Sequence, residues 1–271
     1  MKIYDCFMYF DEDLVLDIRL NTLNEIVDRF VVCEATKDHA GKKKELKFNK
    51  AKFSEFEQKI EYIVVEDIPE NVKSNKKNWH ESHIRDQYQR NAISRGLKDC
   101  SPDDWIMISD IDEIPDPKRI REFDIREKYA CFLQKNFQSK INLLNVTESY
   151  WPGTKICQKK DLKSPQWLRN IKTKKRPFWK ILSDKQPQLI KNAGWHFSFL
   201  KQPESIIKKI KSFAHQEFNS SKFTNKNNIK MKISKGEDLF DRDIKYNIVN
   251  IDESFPDYIF ENKNKFKDWI A

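Results

Sequence analysis

Short apolar runs alternate with amphipathic stretches through the first part of the chain. Residues 2–9 read as a strand rich in aromatic and apolar side chains, and Leu16, Leu20, Leu23 and Val27 recur at helical spacing over 13–28. Residues 30–35 form a compact apolar run that fits a buried strand. Phe53, Phe56 and Ile60 suggest a short helix leading into a strand over 61–65. Ile84, Tyr88 and Ala92 mark a long helix over 79–97, with Gly96 near its stop. Residues 105–109 are a fourth buried strand. Strands alternating with helices predict an α/β fold with a mainly parallel central sheet flanked by helices on both faces. In such sheets ligands bind beyond the carboxyl ends of the strands.

The pattern loosens after residue 115. Asp116 followed by Pro117 predicts a short helix, with Asp as the cap and Pro in the first turn. Residues 129–137 and 140–146 read as two strands of a hairpin, 197–223 as basic and helical, and the Lys/Asn-rich 224–236 as an exposed loop. The pattern shows no internal repeat and no clean linker, and its change of character falls at about residue 115. A basic, mainly helical extension over 201–271 is expected to pack on the same domain.

Composition narrows the class. Aromatic residues make up 13% of the chain, which gives it enough to bury and argues for a folded protein. The net charge of +9 attracts anions, although lysines spread along the whole chain also read as a solvated surface. Cys6, Cys33, Cys100, Cys131 and Cys157 include no CxxC pair and fit reduced, buried thiols. The N-terminus turns acidic too early for a signal peptide, and no apolar run reaches the roughly 18 residues of a membrane span. These features predict a soluble, cytoplasmic protein, with peripheral contact at a membrane surface left open. The sequons at Asn145 and Asn219 then carry no glycan.

The most informative stretch is the apolar strand that ends in Asp110, Ile111, Asp112 and Glu113. Strand alternation aims Asp110 and Asp112 to one side. Two carboxylates at a strand's carboxyl edge suit Mg²⁺ or Mn²⁺, which keep positions free for water and substrate phosphates. A bare D-x-D also occurs in solvated turns. Upstream, Arg85, Asp86, Gln89, Arg90 and Asn91 lie on one helix, where arginine suits phosphate but spacing alone favours an exposed amphipathic helix with an intrahelical Asp86–Arg90 pair. His196, after Gly194, fits either a further Mn²⁺ ligand or a buried histidine satisfied by the backbone. Trp151, Trp167, Trp179 and Trp195 fit either sugar-stacking floors or core packing.

In order, KIYDCFMYFDED, FVVCEATKDHAGKKK, RDQYQRN, DWIMISDIDEIPDP and GWHFSF resemble glycosyltransferase family 17 over about residues 2–200. The resemblance implies the GT-A nucleotide-diphospho-sugar fold, with a catalytic unit over 1–200 made of a donor half at about 1–115 and an acceptor half at about 116–200. It also implies a UDP-sugar donor, UDP-GlcNAc by analogy, and transfer with inversion. Asp110 and Asp112 match the metal-and-diphosphate motif, and His196 matches the late histidine of the metal site. Glu34, Arg85, Asp86, Arg90 and Asn91 fall in donor-side segments. The acceptor is expected to be a carbohydrate or glycolipid, and no nucleic acid is expected. For the catalytic base, Glu113 ranks first by its place beside the motif, followed by Asp184, Asp161 and Glu148 in the later half. Two other classes stay open on the residues alone: a metal-dependent phosphoesterase or nuclease, and a non-catalytic glycan- or nucleic-acid-binding protein.

Overall fold

A computed structural model of the chain describes residues 1–70, 72, 81–174, 185–212 and 218–271. One sheet organises these residues, in the order β11-β7-β6-β8-β4-β1-β2-β3, with β9 and β10 paired to β6 and β5 paired to β10. The strands are β1 (Ile3–Met8), β2 (Arg29–Ala35), β3 (Ile60–Val65), β4 (Trp105–Asp110), β5 (Glu113–Pro115) and β6 (Tyr129–Gln138). They continue with β7 (Leu143–Asn145), β8 (Tyr150–Gln158), β9 (Gln188–Ile190), β10 (Gly194–Ser198) and β11 (Tyr246–Ile248). The run β3-β2-β1-β4 is parallel, as the alternation predicts. The rest is not. β8 runs antiparallel to β4 and β6, β7 antiparallel to β6, and β11 antiparallel to β7. The sheet is therefore mixed rather than mainly parallel. The reason lies in the connections over 139–142 and 146–149, which are too short to carry crossover helices, so the chain passes through β6, β7 and β8 in hairpins.

The parallel strands are apolar on both faces because both faces are covered. Ile3 and Phe7 of β1, Phe30 and Val32 of β2, and Trp105 and Met107 of β4 enter one core layer. Helix α1 (Asp13–Leu23) packs there through Leu16 and Leu20, and α7 (Asp257–Glu261) through Ile259. Alternate residues Cys6, Val31, Cys33, Ile106 and Ile108 enter the other layer, covered by α2 (Glu81–Ala92) and α4 (Pro165–Asn170). Asp116 caps the short helix α3 (Pro117–Ile120) by accepting from the Lys118 amide, as its sequence predicts. All five cysteines are free thiols. Among the described residues no helix is long and apolar enough to cross a membrane.

The C-terminal part differs from its sequence reading in two places. Phe197 and Ser198 close strand β10 instead of opening the helix read over 197–223. Residues 226–235 form a helix, α6 (Lys226–Lys235), where the polar composition predicts a loop. Asn225 caps it by accepting from the amides of Asn227 and Asn228, and Gly236 ends it at φ +65°. Ile229 and Ile233 pack with Ile206 and Ile210 of α5 (Pro203–Ser212), so two isoleucines four residues apart on one face decide against a mostly polar composition. The tail then joins the main sheet. β11 pairs with β7, Tyr258 donates to Asp17 at 3.1 Å, and Phe255, Ile259 and Phe266 are buried in the first core layer.

Candidate active site

Asp5 interrupts the apolar run of β1 and faces α1, on the same side as Ile3 and Phe7. It meets Arg19 of α1, and both side chains are wholly buried. The guanidinium takes Asp5 in a fork, with Nε to Oδ2 at 2.7 Å and Nη2 to Oδ1 at 2.6 Å. Its Nη1 donates to the carbonyls of Asp110, Ile111 and Glu113 at 3.2, 3.0 and 2.9 Å. Arg19 therefore satisfies the carbonyls that β4 leaves unpaired as it turns, and it fixes the turn over residues 111–112. Strand alternation ends at Asp110 because the strand does.

The turn sends its carboxylates to different partners. Half-buried Asp110 accepts from Arg90 at Oδ1 (3.0 Å) and from Arg169 of α4 at Oδ2 (2.8 Å). Burial favours its neutral form, but Arg169 and Arg90 outweigh that and hold the carboxyl far below the usual range. Glu113 is fully buried, and each of its oxygens accepts twice. Oε1 takes Trp151 Nε1 (2.6 Å) and Arg169 Nη2 (2.7 Å), and Oε2 takes the Asp110 amide (3.0 Å) and Arg169 Nη1 (2.9 Å). Asp112 points the other way. Its Oδ1 lies 3.8 Å from His196 Nε2, and its Oδ2 lies 3.4 Å from Lys209 Nζ of α5.

His196 reaches Asp112 because β10 pairs antiparallel with β5, placing His196 opposite Glu113 and Gly194 opposite Pro115. Gly194 has φ +128°, and a side chain there would sit 2.2 Å from the Ile114 carbonyl, so glycine is required. The imidazole stacks on Trp151, with ring centroids 4.7 Å apart. Asn136 turns its amide nitrogen to the Glu148 carbonyl (3.1 Å), which leaves its oxygen 3.1 Å from His196 Nδ1. That network assigns a proton to Nδ1 and turns Nε2 toward Asp112.

Asp110, Asp112 and His196 line a cleft of about 930 Å³ beyond the carboxyl ends of β1 and β4. Asp86, Arg90, Glu148 and Trp151 line it as well. Asp112 and His196 are the pair whose chemistry and spacing suit a cation. Among the described residues no group of three or more His, Cys, Asp or Glu side chains is arranged to hold one. The two aspartates share the cleft, but Asp110 is engaged with arginines while Asp112 faces His196 and Lys209.

Several candidates fall elsewhere. Glu113 is sealed, with its acceptor capacity filled, which removes it as an acceptor-side base. Asp161 follows β8, whose Gln158 pairs with Trp105, so it sits at the opposite end of β4 from Asp110. Asp184 and Trp179 lie outside the described residues. Glu34 is fully buried and accepts from the Lys47 and Phe48 amides (2.8 and 3.0 Å) and from Tyr62. It anchors a loop instead of facing the donor. Arg85 lies under the next loop, donating to the His39 carbonyl at 3.3 Å and against Gly41. The Asn91 side chain accepts from the Gln166 amide at 3.0 Å and holds the first turn of α4. Trp167 packs edge-on to Tyr129, and Trp195 donates to the Ser254 carbonyl.

Arg19, Asp5, Arg169, Asn136 and Lys209 were not singled out from the sequence. A signal existed for two of them: a charge in an otherwise apolar strand, and an arginine between Ile18 and Leu20 on a buried helix. Arg169, Asn136 and Lys209 gave none, because only the fold brings them to the turn.

Comparison with known proteins agrees with the early resemblance. The chain is 24% identical to the human β-1,4-mannosyl-glycoprotein 4-β-N-acetylglucosaminyltransferase over 231 residues, covering 75% of this chain and 42% of that protein. The rat and mouse proteins of the same name match at the same identity, with 41% of each covered. The chain thus spans about two fifths of the length of these curated relatives. The sequence model of glycosyltransferase family 17 matches residues 1–268, and the chain belongs to that family.

Proposed function

We propose that this chain is an inverting glycosyltransferase of GT-A type that moves N-acetylglucosamine from UDP-GlcNAc to a glycan hydroxyl with the help of Mn²⁺ or Mg²⁺. Family membership supports the reaction class, and the relatives' names support the sugar. One observation supports the metal: Asp112 Oδ1 and His196 Nε2, which is an acceptor in the neutral ring protonated at Nδ1, face each other across 3.8 Å. Two ligands with bonds of about 2.1 Å lie about 3.0 Å apart at a right angle and about 4.2 Å apart across an ion. The gap falls between these values. Asp112 and His196 would hold the ion, with water and the diphosphate completing its shell. When bound, it neutralises the charge of the diphosphate leaving group. Arg90 and Arg169 keep Asp110 ionised and line the cleft with positive charge.

For the base we favour Glu148. Its carboxylate is exposed in the cleft and, among the described residues, has no ion pair. Its backbone carbonyl binds the Asn136 amide that orients His196, which places it near the metal pair. Glu148 accepts the acceptor hydroxyl's proton while the new bond to the anomeric carbon forms and the bond to the diphosphate breaks. A screen of UDP-sugars for slow hydrolysis, with and without Mn²⁺, tests the class. Mn²⁺-dependent UDP release, greatest with UDP-GlcNAc, is the expected result. Glu148→Gln should then lower kcat roughly 100-fold or more at an unchanged donor KM. No UDP release from any donor, alongside phosphoester hydrolysis, would sink the proposal.

A further inference from the structure

Helix α5 belongs to the basic C-terminal extension, yet it delivers a cation into the cleft. Ile206 and Ile210, both fully buried, fix the helix against α6. Lys209 leaves it to place its ammonium 3.4 Å from Asp112 Oδ2, 3.8 Å from Glu12 Oε1 and 5.4 Å from the centroid of the Phe199 ring.

These contacts are loose. Arg169 meets Asp110 at 2.8 Å, whereas the closest oxygen to Lys209 is at the outer limit of a hydrogen bond. Glu12 is already served by Lys201 at 3.3 Å and by the amides of Phe10 and Asp11. An ammonium has three donors, so Lys209 retains hydrogen-bonding capacity toward the cleft it lines. It also shares Asp112 with the gap facing His196. A divalent ion there and the ammonium would repel each other unless an anion lay between them. A phosphate group meets both requirements.

We infer that Lys209 binds a phosphate of the donor's diphosphate, so that the C-terminal extension completes the donor site. The assignment rests on the UDP-sugar reading above. Calorimetric titration with inorganic pyrophosphate and with UDP, both in Mn²⁺, tests it on the full chain. Lys209→Gln should weaken both roughly tenfold, and Lys209→Arg should hold them within about threefold, because the charge is restored. A structural counter-ion would instead shift the melting temperature and leave anion affinity unchanged. Equal pyrophosphate affinity in Lys209→Gln and the unaltered protein overturns the assignment and leaves the transferase reading standing. Failure of the unaltered protein to bind either UDP or pyrophosphate overturns both.

Discussion

The two sides of the carboxylate turn are built in opposite ways. On one side, Asp110 and Glu113 are gripped by Arg90, Arg169 and Trp151 at 2.6–3.0 Å, and Arg19 ties the carbonyls beneath them. On the other side, the nearest partners of Asp112 stand at 3.4 and 3.8 Å. Tight, fully satisfied charges rigidify a site. Loosely met ones are available to a ligand. The acidic motif is thus half scaffold and, on the proposed function, half binding site, and residues only one and two positions apart in sequence serve different ends.

Mutation should separate the two sides. The largest effect is expected at Arg19, where Arg19→Leu leaves the Asp5 carboxylate buried without a partner. Urea denaturation should show a loss of about 3–5 kcal/mol. Asp112→Asn should behave in the reverse manner, lowering transfer by roughly 10²–10³-fold, or about 3–4 kcal/mol of transition-state stabilisation. Its melting temperature should stay near that of the unaltered protein. Loss of stability without loss of turnover per folded molecule would contradict the division. Glu113→Gln sharpens it further. An amide nitrogen cannot accept from Arg169, Trp151 or the Asp110 amide, so stability should fall by about 1–3 kcal/mol. Loss of turnover at unchanged stability would return Glu113 to the role of base.

The smallest effect concerns Lys155, a buried cleft residue of β8 whose ammonium donates to the Arg169 carbonyl. Burial, reinforced by Arg169, pushes its pKa down to about 8. The unfolded chain therefore binds the Lys155 proton more tightly than the fold does. This destabilises the protein below pH 8, and the penalty fades as pH rises from about 8 toward the ordinary lysine value near 10.4. Lys155→Met should consequently show its greatest relative stability at pH 7, with the difference in melting temperature narrowing toward pH 9.5. A difference that is flat with pH would place the Lys155 pKa near its ordinary value.

The parallel half of the sheet was legible because its strands are buried on both faces and read as continuous apolar runs between helical repeats. The strand ending in Asp110 and the glycine at 194 were legible for local reasons: a strand edge, and a backbone conformation that excludes a side chain. The helix over 226–235 was not, since its few isoleucines matter only against those of α5.

By itself, the sequence determined which residue types stand at the turn and that a buried strand leads into it. The tertiary structure decided which carboxylate is locked and which is open. That choice depends on Arg19, Arg169, His196 and Lys209, which arrive from α1, α4, β10 and α5. Electrostatic pairing acts over a few ångströms of space, and sequence separation carries no record of it.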